Sequence, residues 1–295
     1  MGNMREIRNR IKSVQDTMKI TNAMYLISSA KLRKARSNRD ETAPYFQSLK
    51  FTISDILARY PDYKQEGLFE SQEEMDTAAH EKHRLFIVIS SDKGLAGSYN
   101  HNVFALTEKH VIPGVDNRLL LVGHMGLNYF RKNDHLTIDE EHIYPATTPT
   151  IFRAREIAEL VIDQYENQGI DEVYMVYTKM VNSMTFEPEI MRVLPLTGSE
   201  FCAEQETHPQ EPVFTPSAKE VLKHIVPNYV KGIIFGAMSE SFACEQSARM
   251  TAMDNATTNA KEMIRELSLA YNRVRQAAIT QEITEVVSGS QSTAR

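Results

Sequence analysis

Two stretches near the ends of the chain space their apolar residues in alternating steps of four and three. The first runs through Ile7, Ile11, Val14, Met18, Thr21, Tyr25, Ser28, Leu32 and Ala35. The second runs through Met253, Thr257, Ala260, Ile264, Leu267, Tyr271, Val274 and Ala278. Such spacing lays one narrow apolar stripe along an α-helix, the seam of a coiled coil. Ile20, Met24 and Ile27 lie beside the first seam and widen its apolar face. No Pro or Gly interrupts residues 3–43, which predicts about forty helical residues, roughly 60 Å long. Pro44 is expected to bend or interrupt this helix, with periodicity resuming through Phe51, Ile53, Ile56 and Leu57. The second stretch has no Pro from Asn228 to Val287, although Gly232 and Gly236 weaken its start. After Val287 the run Ser288-Gly289-Ser290-Gln291-Ser292-Thr293 reads as a flexible tail.

Each seam must find a partner, and the simplest is the other one, antiparallel, within one chain. A homodimer pairing like with like is the competitor. It would bring together two copies of a helix that is strongly basic on its outer positions. Setting Ile7 near Leu267, Val14 near Ala260 and Thr21 near Met253 matches apolar layers and brings Met24 close to Arg249. Residues after about Tyr271 then project as a single helix.

Between the helices the pattern changes to short apolar runs: Leu85 to Ile89, Leu119 to Val122, and Val173 to Tyr177. These read as buried strands, alternating with helical segments at 102–110, 127–132 and 152–168. Thr148-Pro149 starts the last helix and Gly169 stops it. Alternation of this kind predicts a Rossmann-like, mainly parallel α/β domain. An additional strand from Met184 to Leu196 is expected to break or bulge near Pro188. The fold class is thus α/β plus long helices. Its parts are an N-terminal coiled-coil helix (1–60), a central α/β domain (61–216), a C-terminal coiled-coil helix (217–288) and a tail (289–295).

Charge narrows the picture. The formal net charge is −6, yet the first 39 residues carry ten Lys or Arg against Glu6 and Asp16. The stretch from Glu66 to Glu81 is acidic and lacks Lys and Arg. A basic helix suggests an acidic partner surface, whether protein, nucleic acid or lipid headgroup. Tyr25, the sole aromatic on that helix, falls on the seam, where no base could stack on it. No run is long and apolar enough to span a bilayer, and no apolar signal region follows Met1. Cys202 and Cys244 have no metal-ligand spacing and read as reduced thiols.

Candidate chemistry is sparse. The segment from Ser90 through Gly94 and Gly97 to Asn100 follows the first strand and opens a helix, where a phosphate-binding loop would sit. It matches neither G-x-G-x-x-G nor a Walker pattern, so a tight turn with two glycines and an Asp cap is the favoured reading. His80 and His83 lack a third ligand, and no catalytic constellation emerges. Neither a cofactor nor a metal is expected. Three functions remain from the residues alone: a mechanical shaft, a nucleotide-dependent α/β enzyme, or a basic coiled-coil protein that binds nucleic acid.

Three segments, in order along the chain, decide among them. The first is Ile7-Arg8-Asn9-Arg10-Ile11-Lys12-Ser13-Val14 with Thr17 to Met24 and Ser28 to Arg33. The second is Ser91-Asp92-Lys93-Gly94-Leu95-Ala96-Gly97 with Tyr99-Asn100. The third is Glu245-Gln246-Ser247-Ala248-Arg249-Met250 followed by Asn272 to Glu285, ending in Ile279-Thr280-Gln281-Glu282-Ile283-Thr284-Glu285. Together they resemble the gamma subunit of F-type ATP synthases, bacterial type. The resemblance implies a non-catalytic rotor shaft that couples an ion-driven c ring to conformational change in the catalytic beta subunits. It implies alpha, beta and epsilon subunits and the c ring as partners, no nucleic acid, and membrane contact only through the complex. The location implied is the cytoplasmic face of the bacterial plasma membrane. Position by position, it makes Arg275, Gln276 and Thr280 contacts with a beta-subunit loop, and Met24 and Arg249 contacts with the beta subunit's acidic lever. A solvated helix face is the other reading of Arg275 and Gln276, and core packing beside the seam is that of Met24. Two departures stand out: Ser288-Gly289-Ser290 replaces the family's Gly-Ala ending, and Thr215 stands where a Glu often precedes the Pro.

Overall fold

The computed structural model describes residues 2–65, 67–69, 82–112, 114–133, 136–182, 185–201 and 213–293. His80, Cys202 and most of the acidic run from Glu66 to Glu81 lie outside the described residues. Two helices dominate the chain: α1, Gly2–Arg59, and α5, Ala218–Thr293. Between them come β1 (Arg84–Ile89), α2 (Tyr99–His110), β2 (Asn117–Val122), α3 (His124–Phe130) and β3 (Thr137–Ile138). These are followed by α4 (Ile151–Asn167), β4 (Glu172–Met180) and β5 (Phe186–Leu194). The chain divides into two compact units, one of residues 1–29 with 249–295 and one of residues 30–248.

In the α/β unit the sheet order is β3-β2-β1-β4-β5, parallel except for antiparallel β5 at one edge. Strand alternation sorts the core onto two faces. Leu85, Ile87, Leu120, Val173 and Met175 pack with α4, with Ile53, Ile56 and Leu57 of α1, and with α5 between Leu222 and Met238. Phe86, Val88, Leu119, Leu121 and Val176 pack with Val103 and Phe104 of α2 and with Leu127 and Phe130 of α3. At α4, Thr150 is the N-cap, its side chain accepting from the Arg153 amide, and Gly169 follows at φ +70°.

Four details differ from the sequence reading. Pro44 lies inside an unbroken α1, and Pro227 lies inside α5. One lost hydrogen bond is outweighed when residues on both sides of the proline are packed, as Phe46 is against Phe235. β5 runs straight through Pro188, which pairs with Thr178, and the register irregularity lies between Val173 and Tyr174 instead. An edge strand tolerates Pro where its missing N–H would have faced away from the ladder. Helix α5 continues through the expected tail to Thr293, since extending a formed helix costs little per residue. Gly232 also does more than weaken α5: a Cβ there would come 2.1 Å from Cδ1 of Phe46, so its bareness lets the two helices approach.

The coiled-coil unit pairs its helices through small residues. Thr21 and Thr257 share a buried Oγ1–Oγ1 hydrogen bond of 2.7 Å. Thr21 therefore faces Thr257, one seam step from Met253. Antiparallel helices mesh when steps of equal length face each other, four against four and three against three. Thr21 to Tyr25 and Thr257 to Met253 satisfy this, as do Thr21 to Met18 and Thr257 to Ala260. Counting on, Val14 comes opposite Ile264 and Ile7 opposite Tyr271.

Candidate functional site

The carboxyl ends of β1 and β4 flank the point where strand order reverses, the usual ligand crevice of an open α/β sheet. Here that crevice is closed from several sides. The Ser90 hydroxyl donates to the carbonyls of Val122 and Gly123, each at 3.1 Å, and accepts from the Gly126 amide at 3.0 Å. Gly123, at φ +98°, runs so close that a Cβ would lie 2.4 Å from the Ser90 carbonyl oxygen. The space left among Ser90, Tyr99, Phe242 and Glu245 is about 10 Å³, room for about one water and far less than a nucleotide requires.

The loop from Ser91 to Ser98 is occupied with its own structure. One oxygen of Asp92 accepts from the His124 ring nitrogen at 2.9 Å and from the amides of His124 and Ala146. Burial pushes the Asp92 carboxyl up, but these hydrogen bonds outweigh it and hold the pKa below the ordinary carboxylate value. Asn100 accepts from the Ser91 amide at 2.9 Å, and Gly97 adopts φ +59°. The loop is a turn whose polar groups serve the fold. Cys244 is a buried free thiol whose pKa burial pushes up to about 12, far from the thiolate character of a nucleophile. Among the described residues, no group of three or more His, Cys, Asp or Glu could hold a metal, and no helix is long and apolar enough to cross a membrane.

The exposed chemistry lies on the long helices. The seam positions Ile7, Ile11, Val14, Met18, Ile264, Leu267 and Tyr271 are half-buried, while Ala260 is buried. Ile20 and Ile27, expected to widen the apolar face, stand 60% and 56% exposed, and Leu26 is exposed as well. Met24 is half-buried and Arg249 is buried. Arg275, Gln276 and Thr280 are exposed. The Thr280 hydroxyl donates to the Gln276 carbonyl at 2.9 Å, which leaves its oxygen to an outside partner as an acceptor. By the observed register α1 begins opposite Gln276, so α5 runs alone beyond that point rather than from Tyr271. On this lone segment Ile279, Ile283, Val286 and Val287 are all exposed, an apolar set that the seam pattern passes over.

Comparison with known proteins supplies the identity. The profile of a family described as ATP synthase matches residues 3–292. An ATP synthase gamma chain of Ruminiclostridium cellulolyticum is 46% identical over 98% of each chain. A gamma chain of Acetobacterium woodii described as sodium ion specific is 39% identical over 98% of each. The chain belongs to the ATP synthase gamma chain family. Among solved structures, the rotor of Euglena gracilis mitochondrial ATP synthase aligns with a TM-score of 0.66 at 16% identity, covering 94% of this chain and 99% of that one. That likeness concerns the fold, in which long helices accompany an α/β sheet. Ser241 also lies at the closed crevice, accepting from the Tyr99 hydroxyl at 3.1 Å. Tyr99 stands out in the sequence only within a family segment, and Ser241 not at all, because no local pattern links positions so far apart.

Proposed function

We propose that this chain is the central rotor shaft of an F-type ATP synthase, a non-catalytic subunit that transmits rotation to catalytic beta subunits. The observation that carries this reading is the lone end of α5. Ile279, Ile283 and Val286, spaced four and three apart, stand 46%, 59% and 72% exposed on a helix end with no pairing helix among the described residues. An exposed apolar stripe of this kind on a helix marks a surface for a partner. A ring of alternating alpha and beta subunits provides such a partner in the form of a sleeve. Below the tip, Arg275 and Gln276 offer a fork of donors and a donor–acceptor amide for carboxylates or carbonyls on a beta-subunit loop, with Thr280 as an acceptor. Met24 and Arg249 are the further contacts, with the beta subunit's acidic lever, although the observed register sets Met24 opposite Asp254 and Arg249 opposite Ser29 rather than each other. Epsilon and the c ring are the remaining partners. Membrane contact comes only through the complex, at the cytoplasmic face of the bacterial plasma membrane. Co-purification with alpha and beta subunits from the source cell, with ATP hydrolysis by the assembly and none by the isolated chain, is the expected result. A chain that purifies alone under conditions that keep alpha and beta together would overturn the reading.

A further inference from the structure

Strand β4 outruns its neighbour. Its pairing with β1 ends at Val88 and Val176, yet β4 continues to Met180. The amides of Thr178 and Met180, two residues apart, point to the edge that β1 has left, where they would lack acceptors. Helix α5 supplies them. The Thr178 amide donates to Ser241 Oγ at 3.0 Å in a buried bond, and the Met180 amide donates to Glu240 Oε1 at 3.2 Å. The same Ser241 oxygen accepts from the Tyr99 hydroxyl of α2 at 3.1 Å, also buried. Ala96, Tyr99 and Cys244 pack together around this point, with Met180 and Phe186 against them.

The geometry points to a socket: the crevice that an open α/β sheet would offer to a ligand grips the chain's own long helix, and Ser241 is the positioning residue that keys the helix against turning within the sheet. Both lone pairs of its oxygen are engaged, one by a strand and one by another helix. Rotation of α5 about its own axis would break both bonds together and expose a strand edge. The mechanical role rests on the shaft reading above, whereas the socket itself does not.

The test uses Ser241→Ala and Ser241→Thr in the full chain, with Tyr99→Phe as a milder variant that removes one hydroxyl only. In the isolated chain, Ser241→Ala should speed hydrogen exchange at the Thr178 amide by about tenfold or more, the effect of losing a buried hydrogen bond. Ser241→Thr should restore slow exchange, and amides of β2, outside the socket, should keep their wild-type rates. In the reconstituted complex, Ser241→Ala should keep ATP hydrolysis within about twofold of wild type while fewer ions are pumped per ATP, a split that loss of folding would not produce. Unchanged exchange at Thr178 would overturn the socket, and an unchanged pumping-to-hydrolysis ratio would overturn its role as a key. Failure of the wild-type chain to restore pumping would instead sink the shaft reading and leave the exchange result standing.

Discussion

The two units solve burial in opposite ways. In the α/β unit, β1 is buried along its whole length, and side chains such as Ile87, Leu120 and Met175 are fully inaccessible. In the coiled-coil unit, most seam residues are only half-buried, and the buried seam positions are, apart from Met253, small or polar: Thr21, Ser28, Thr257 and Ala260. At about 25 cal/mol per Å² of apolar surface, the first arrangement accounts for most of the chain's stability. The second spends little surface on itself and leaves much for partners. Cohesion and contact are thus segregated, so mutations should sort by the property they disturb.

The largest loss of stability is expected at the buried ion cluster that opens β1 and β4. Glu172 accepts from Lys82 at 3.2 Å, Arg84 at 2.9 Å and the Tyr174 hydroxyl at 3.0 Å. Glu172→Ala takes the carboxylate from two buried cations and should cost about 3–5 kcal/mol in urea melts. The same group gives a pH signature. Burial pushes its carboxyl up, but hydrogen bonds from Lys82 and Tyr174 and the charges of Lys82 and Arg84 hold it below the ordinary value. Its contribution is therefore present above the unfolded carboxylate range and lost as pH falls through the folded value. Glu172→Gln should flatten that acid-side slope. A smaller loss is expected at the helix crossing of the same unit. Gly232→Val drives a branched side chain into Phe46 and should cost about 1–3 kcal/mol, partly recovered by Phe46→Ala in the double variant.

In the coiled coil the effects should shrink. Thr21→Val leaves the Thr257 hydroxyl its bond to the Met253 carbonyl at 2.8 Å, so about 1 kcal/mol is the expected loss. Changing both threonines to Val should cost less than the single changes added, which a double-mutant cycle would read. The register has its own check: cysteines at positions 14 and 264 should crosslink readily, and those at 14 and 260 slowly. At the tip the stability effect should vanish. Arg275→Ala with Gln276→Ala should leave the melting temperature of the free chain nearly unchanged. It should nevertheless slow ATP turnover of the reconstituted complex by about ten- to a hundredfold, if these contacts form in one rotary state only.

The sequence exposes the elements here more readily than their couplings. Steps of four and three mark both seams, and unbroken apolar runs mark β1, β2 and β4, because both patterns are local. The register is only partly legible in the sequence. Setting Thr21 against Met253 opposes a three-residue step to a four-residue one; Thr257 removes the conflict, as would Ile264 a heptad further on, and the Thr21–Thr257 hydrogen bond selects the former. Pro44 misleads because its cost is local while the packing that outweighs it is not. Ile279, Ile283 and Val286 fall outside the seam and so escape a search for pairing, though their exposure is what suggests a sleeve. Ser241 and Tyr99 meet across 142 positions of sequence, and neither residue type announces such a bond.

The slenderness of the seam has a mechanical consequence. With Thr, Ser and Ala at its centre, the double-stranded rod is thin, and beyond Gln276 it drops to one strand. Torsional stiffness grows steeply with the radius of a rod, so twist applied at the base would concentrate in the single-stranded end. Within the coiled-coil unit the rod is thus graded, softer where α5 runs alone than where α1 accompanies it. Where such a rod turns against a load, elastic energy would be stored nearest the surfaces that resist the turning.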